Sequence, residues 1–325
     1  MIAIENLVKE YRLHTGLIAG LLGREAVVHA ISGVTLDIEQ GEILALAGES
    51  GCGKTTLGKI LVGLEQPTSG SIRFDGTDID AIWRRRARSF RSRVQMVFQN
   101  PYDSLDPRSR ILKSVREPLR YLRINHTVDR SSRAYEALRQ VGLKPVETFA
   151  DRFPHQLSGG QRQRVAVARA LVVQPDFVVA DEPVSMLDVS VRAGVLTLLQ
   201  QLNDEMGITI LLITHDLATA RHVSHRIAVM YLGRLAEIIK TDALVDAARH
   251  PYTRLLLKSA PDLRRQDYDH GEFVTGDIAS AVSPPAGCRF WPRCHYSVER
   301  CRREAPRLES LADGHQLACF HSGEL

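Results

Sequence analysis

The absences in this sequence already narrow what the chain can be. No apolar run approaches the roughly 18 residues that a bilayer-spanning helix requires, so no stretch of the 325 residues reads as a membrane segment. The opening MIAIENLVKEY alternates like a strand and has no apolar signal block, so the expected compartment is the cytoplasm. Aromatic residues are only 6% of the chain, with two tryptophans, and the formal net charge is a mild +4. That balance gives no reason to expect a nucleic-acid partner. Cysteine is nearly absent until residue 288: Cys52 stands alone, and Cys288, Cys294, Cys301 and Cys319 crowd the end. In a reducing compartment such a cluster is more often metal-binding than disulfide-forming. The remaining composition, 44% apolar and 25% charged, is that of a soluble protein able to bury one large core or two smaller ones.

What is present is organised around GESGCGKTT, Gly48 to Thr56. It fits the phosphate-loop pattern with Gly48, Gly53, Lys54 and Thr55 at the fixed positions and Ser50, Gly51 and Thr56 completing the turn. The apolar EILALA before it reads as a buried strand and TLGKILVGL after it as a helix, the context the motif needs. Glycines let the backbone turn its amides toward a polyphosphate, and the helix N-terminus adds a favourable field. Lys54 would reach the terminal phosphates, and the Thr55 hydroxyl would ligate Mg2+.

Along the chain, the first 47 residues read as strands and turns, interrupted by a Gly-containing loop from His14 to Glu25. Tyr11, just before it, reads as a packing residue. The basic run Arg84 to Arg93 reads as a solvated helix face, and VQMVFQ (Val94 to Gln99) as a strand ending in the turn-rich NPYDSLDP. From Ile111 to about Val146 the character is helical, an insertion into an α/β core. LSGGQ then opens a helix with Val165, Ala168, Leu171 and Val172 at helical spacing, and its N-terminus is a second candidate anion site. FVVADEP is a buried strand ending in Asp181 and Glu182, charges that are costly there unless they have work or a cation. The helix from about Ser190 to Met206 is closed by Gly207, and ITILLIT delivers His215 and Asp216 at its end. Polar groups at the carboxyl ends of strands mark the ligand edge of an open α/β sheet. A boundary is expected near residue 260, where the chain turns polar and reaches SPPAG.

The cysteines are spaced C-x5-C-x6-C-x17-C, wider than the pairs usual for zinc. Residue chemistry alone leaves iron–sulfur, zinc and plain buried thiols equally open. His295, His315 and His321 lie close enough in sequence to substitute as ligands, and Phe290 and Trp291 read as packing residues.

GESGCGKTT, Gln99, LSGGQ, FVVADEP, SMLD (Ser185 to Asp188) and THD with His215 occur in the order of the ABC-transporter ATPases, which the chain resembles over essentially its whole length. FQNPYDSLDPR, PHQLSGGQRQRVAVARAL, VMYLGRLAEI, HPYT and the terminal cysteines resemble, more narrowly, the oligopeptide/dipeptide permease ATPases, and the second of that system's two ATPase subunits in particular. The resemblance implies an α/β phosphate-loop NTPase core over 1–260, an inserted helical subdomain at about 100–175, and a small cysteine-containing C-terminal domain over 261–325. It implies that Tyr11 stacks on adenine, that Gln99 senses Mg2+ and the membrane subunits, and that Asp181 orients Mg2+. Glu182 would be the general base and His215 the γ-phosphate contact. Ser158, Gly159, Gly160 and Gln161 would close over the ATP of a partner subunit, so that a lone copy hydrolyses poorly. It also implies a [4Fe–4S] cluster on Cys288, Cys294, Cys301 and Cys319, with zinc as the alternative. The expected partners are a sister ATPase, two transmembrane permease subunits and an extracytoplasmic solute-binding protein, with this chain peripheral on the cytoplasmic face of the inner membrane. The cargo is expected to be an oligopeptide or dipeptide; the alternatives are nickel or another small solute, or a non-transport ABC ATPase. Met186 departs from the small residue usual in SMLD-type loops.

Overall fold

The computed structural model describes residues 1–13, 26–124, 130–260, 280–311 and 314–321, with the backbone alone at 84–86, 103 and 189. The loop His14 to Glu25 and the polar stretch after Pro261 lie outside the described residues. The chain divides into two compact units, Met1–Ile38 with Leu44–Gly76 and Thr214–Leu325, and Glu39–Ile43 with Thr77–Ile213. Among the described residues no helix is long and apolar enough to cross a membrane.

The first unit begins with an antiparallel sheet in which Ile2–Leu13 lies between Ala26–Ile38 and Ser69–Phe74. Ile2, Ile4 and Leu7 are all buried. Leu7 breaks strict alternation, and the register shifts between Ile4 and Leu7 around Asn6, whose φ is 45°. A bulge of this kind lets an odd spacing still face the core. The unbroken apolar run Ile43–Ala47 pairs in parallel with Arg226–Tyr231, Leu44 opposite Arg226 and Ala47 opposite Val229. Both strands are apolar at successive positions because both of their faces are covered. The second strand turns back through Leu232 and Gly233 into the antiparallel Arg234–Lys240.

The cysteine-bearing segment is part of this same unit, which runs across residue 260. Gln316–Leu317 pairs with Arg234–Lys240, Leu317 opposite Glu237. Phe290, 3% exposed, packs its ring 5.3 Å from Tyr231, 5.4 Å from Tyr252 and 5.9 Å from His250. A segment this short buries too little surface to make its own core, and it adds a ring and a strand to an existing one.

Glu237 is fully buried within that strand pair and accepts from His315 Nε2 at 2.7 Å, Arg249 N–H at 2.8 Å and His250 N–H at 3.2 Å. Burial pushes its carboxyl up, but the His315 ring and the Arg249 amide outweigh that and hold it below its ordinary 4.5. Burial drives His250 the other way, from 6.5 to about 4, while its Nδ1 accepts the Tyr252 N–H. Both folded pKa values lie below the unfolded ones, so both groups favour folding at neutral pH and lose that contribution on acidification. His250 acts first, between pH 6.5 and about 4, and Glu237 below 4.5. The melting temperature is therefore expected to fall from pH 7 to pH 5. His250→Asn, whose side-chain oxygen can still accept the Tyr252 amide, flattens that fall; an unchanged slope in the variant refutes the assignment.

The second unit holds the parallel strands Val94–Val97, Phe177–Asp181 and Thr209–Thr214, with Phe177 opposite both Val94 and Thr209. The basic run lies on helix Ile79–Arg93, which turns Phe90 inward at 2% exposure. Helices Ile111–Tyr121, Arg130–Gln140, Val146–Ala150 and Gly159–Leu171 lie in this unit. Val165, Ala168, Leu171 and Val172 are all buried, as their spacing requires. Helix Val189–Met206 buries Val195, Leu198, Leu199 and Leu202 and ends on Gly207 at φ 66°. That left-handed cap closes the helix without a Cβ penalty.

Candidate functional site

In the first unit, the phosphate loop leaves strand Ile43–Ala47 and enters helix Lys54–Leu61. Two glycines are dictated by their neighbours. A Cβ on Gly48 (φ 153°) would stand 2.2 Å from the Met230 carbonyl oxygen, and one on Gly53 (φ 107°) 2.2 Å from that of Ala30. No other residue fits either place. Lys54 is 4% exposed, and its ammonium donates to Gly48 O at 2.7 Å and Glu49 O at 2.9 Å. Cys52 is buried under the loop with its thiol pKa raised, chiefly by burial. Its carbonyl accepts from Gly233 N–H at 2.8 Å, tying the loop to the Leu232–Gly233 turn. Ser50, Gly51 and Thr55 are exposed along the loop.

Tyr11 comes to this loop although 37 residues separate it from Gly48. Its hydroxyl bonds Glu65 and the Thr56 side chain, and the Lys9 ammonium lies 4.8 Å above its ring. His215 belongs to the same unit and is exposed at the end of strand Thr209–Thr214. Thr214 Oγ1 accepts Asp216 N–H at 3.1 Å, and Asp216 caps the next helix through Ala218 N–H at 2.9 Å. These bonds set the turn that presents the imidazole.

The second unit carries the acids and the LSGGQ segment. Asp181 ends strand Phe177–Asp181 at 4% exposure, and Glu182 follows with φ 44°. Positive φ is uncommon for a glutamate and costs about 1–3 kcal/mol. Here it is held by Glu182 N–H on Ile213 O at 2.9 Å and by Ser185 Oγ on Glu182 O at 3.0 Å. Gln99 Nε2 donates to Glu182 Oε2 at 2.9 Å and reaches Ser185 Oγ at 3.3 Å. The structure thus joins two motifs 83 residues apart. Met186 is 63% exposed, so most of its side chain faces outward.

Ser158 opens helix Gly159–Leu171 with a reciprocal capping box: Gln161 N–H donates to Ser158 Oγ at 3.3 Å and Ser158 N–H to Gln161 Oε1 at 3.0 Å. A Cβ on Gly160 would stand 2.3 Å from Val191 Cγ1, which explains the glycine by close helix approach. Ser158 is left exposed.

The four late cysteines come near one another. Cys288 N–H bonds Cys301 O at 2.8 Å, and burial first, then neighbouring thiols, raise Cys288 to about 11 and Cys294 to about 12. Yet among the described residues no group of three or more His, Cys, Asp or Glu side chains is placed to hold a metal ion. The thiols are neighbours, but the described residues do not show a ligand set for the expected [4Fe–4S] cluster or zinc. Burial favours the protonated thiol at Cys288, Cys294 and Cys319.

The sequence reading missed Glu49, Arg293 and Tyr252. Arg293 Nη1 donates to Glu49 Oε1 at 3.0 Å and Oε2 at 2.9 Å, and Glu49 N–H donates to Tyr252 Oη at 2.8 Å. No local pattern links residues 244 apart.

Residues 31–185 match the ABC transporter family, and residues 236–301 match the oligopeptide/dipeptide transporter C-terminal region. The chain is 43% identical to the Haemophilus influenzae dipeptide transport ATP-binding protein DppF, over 93% of this chain and 92% of that one. It is 42% identical to the Pseudomonas aeruginosa di/tripeptide transport ATP-binding protein DppF, over 99% and 98%. Its fold matches the dimeric structure of MJ0796, a bacterial ABC transporter cassette, with TM-score 0.64 and 32% identity over 74% of this chain and 99% of that one. The same cassette in a post-hydrolysis state bound to ADP and Pi matches equally well. With this likeness running along nearly its whole length, the chain belongs to the ABC transporter family, among its peptide-transport ATP-binding proteins.

Proposed function

We propose that this chain is the ATP-binding and hydrolysing subunit that powers an importer of dipeptides or oligopeptides. The observation that carries the hydrolytic part is the Gln99–Glu182–Ser185 cluster beside the buried Asp181. Phosphoryl transfer needs positioning, charge neutralisation and an oriented water rather than covalent chemistry. The phosphate loop offers backbone amides, and Lys54 an already desolvated ammonium that exchanges its carbonyl partners for phosphate oxygens. Thr55, Gln99 and Asp181 would be the residues that hold Mg2+, and the ion would offset the charge on the phosphates. Glu182 takes a proton from the attacking water, and Gln99 orients its carboxylate. His215 contacts the γ-phosphate, and Tyr11 offers a ring for adenine. Ser158 to Gln161, exposed at a capped helix start, serve the nucleotide of a sister ATPase. Hydrolysis then belongs to the pair.

The helical segment at about 100–175 and the C-terminal part from about 261 form, on this reading, the family's two additions to the cassette. The names of the peptide-transport relatives and the lack of a spanning helix among the described residues support a peripheral seat on the cytoplasmic face of the membrane. Two transmembrane permease subunits and an extracytoplasmic solute-binding protein complete the system. An iron–sulfur cluster or zinc on the four late cysteines would require the thiols to be drawn together and deprotonated.

Native purification in mild detergent tests the proposal. Co-elution with two membrane subunits and a related ATPase, with hydrolysis only in the complex, is expected. Elution alone, or with ribosomes or DNA, overturns the transport reading. Iron, labile sulfide and zinc measured on the same anaerobic sample decide the cysteine chemistry.

A further inference from the structure

We propose that Arg293, in the cysteine-bearing segment, is a positioning residue for the phosphate loop, acting on Lys54 through Glu49. The inference rests on the reading that this loop binds ATP. All three polar handles of Glu49 are occupied. Its carboxylate takes both bonds from Arg293 Nη1, its N–H donates to Tyr252 Oη, and its carbonyl accepts from the Lys54 ammonium at 2.9 Å. The residue that holds the phosphate-binding lysine is therefore gripped from the far end of the chain.

The grip is rigid on its own side. Tyr252 is fully buried, and the side chains of Arg293 and Glu49 are 11% and 23% exposed, so solvent screens the pair weakly. The Arg293 guanidinium lies 5.8 Å from the Tyr231 ring and 5.7 Å from the Phe290 ring, within cation–π range, and reaches Tyr231 Oη at 3.4 Å. Arg293 directly precedes Cys294 and lies three residues after the buried Phe290, so whatever orders the cysteine segment orders the clamp. Linkage makes the effect reciprocal: ATP bound at the loop favours the clamped segment, and the clamped segment favours ATP. Small displacements of a phosphate-contacting group carry large penalties, and loss of this clamp is expected to weaken ATP binding about tenfold.

Mg-ATP titrations on the full chain within its complex test this, with wild type, Arg293→Met, Glu49→Gln, the double variant and Arg293→Lys. Each single variant is expected to lose about tenfold in affinity, the double no more than the worse single, with part of the loss recovered in Arg293→Lys. A merely structural role would not give that non-additivity and rescue. Affinities within twofold of wild type in Arg293→Met, or losses that multiply in the double variant, overturn the proposal. If Arg293→Met fails to fold, Glu49→Gln decides alone, because it leaves the C-terminal segment untouched; unchanged affinity there overturns the clamp. Failure of the wild type itself to bind Mg-ATP would instead refute the reading of the loop.

Discussion

Glu182→Gln is expected to lower ATP hydrolysis by about a thousandfold, within the range general-base catalysis supplies, while ATP still binds. The substitution keeps the size and planarity of the side chain. Its amide oxygen can still accept from Gln99 Nε2, which sits 2.9 Å from the carboxylate, and the backbone bonds to Ile213 and Ser185 are untouched. What is lost is a group able to take a proton from water. The left-handed backbone at Glu182 matters here, because strain that the surrounding bonds hold in place is found where a side chain must be aimed. Single-turnover phosphate release in the assembled complex, with nucleotide affinity and melting temperature measured alongside, checks this. A variant that keeps more than a tenth of the hydrolysis rate would remove Glu182 from the base role.

Lys54→Ala is expected to weaken ATP binding by about a hundredfold or more, as loss of a buried charge partner does. The ammonium is 4% exposed and held by two carbonyl oxygens of its own loop. Its desolvation is therefore borne by the fold before any nucleotide arrives, and carbonyl dipoles are weaker partners than phosphate oxygens. Alanine removes the charge and leaves the Gly48 and Glu49 carbonyls facing the phosphates, which adds repulsion to the lost attraction. Arginine is no substitute, since its planar fork does not fit a site shaped for a compact ammonium. Calorimetric titration with Mg-ATP reads the effect. A loss under threefold would mean that the loop is not where the phosphates bind.

These two residues were legible in the sequence because their motifs are local. A strand, a glycine turn and a helix N-terminus within about a dozen residues make an anion cradle whatever surrounds them. The apolar spacing of Val165, Ala168, Leu171 and Val172 told of a helix packed into the core, and FVVAD told of a strand covered on both faces. The capping box at Ser158 and Gln161 and the glycine stop at Gly207 are equally short-range. LSGGQ and the chain-long order of motifs carried the family.

Pairings across the chain were not legible. Local pattern says that Gln99 and Glu182 each matter, and only the parallel strands that end beside them place one on the other. An isolated tyrosine at a strand end carries no local sign of a nucleotide role, and only the fold brings the Tyr11 hydroxyl to Glu65 and Thr56. The cysteine spacing leaves metal and plain thiols equally open, and only the fold brings the thiols together beside a buried Phe290. By itself, then, the sequence determined the elements, their buried faces and the phosphate-binding chemistry, because those follow from contacts a few residues apart. The tertiary structure alone decided that Arg293 grips Glu49, that Glu237 is buried against His315, and that the C-terminal segment shares the phosphate loop's unit. Partners separated by tens to hundreds of residues leave no period in the sequence, and they are chosen by packing.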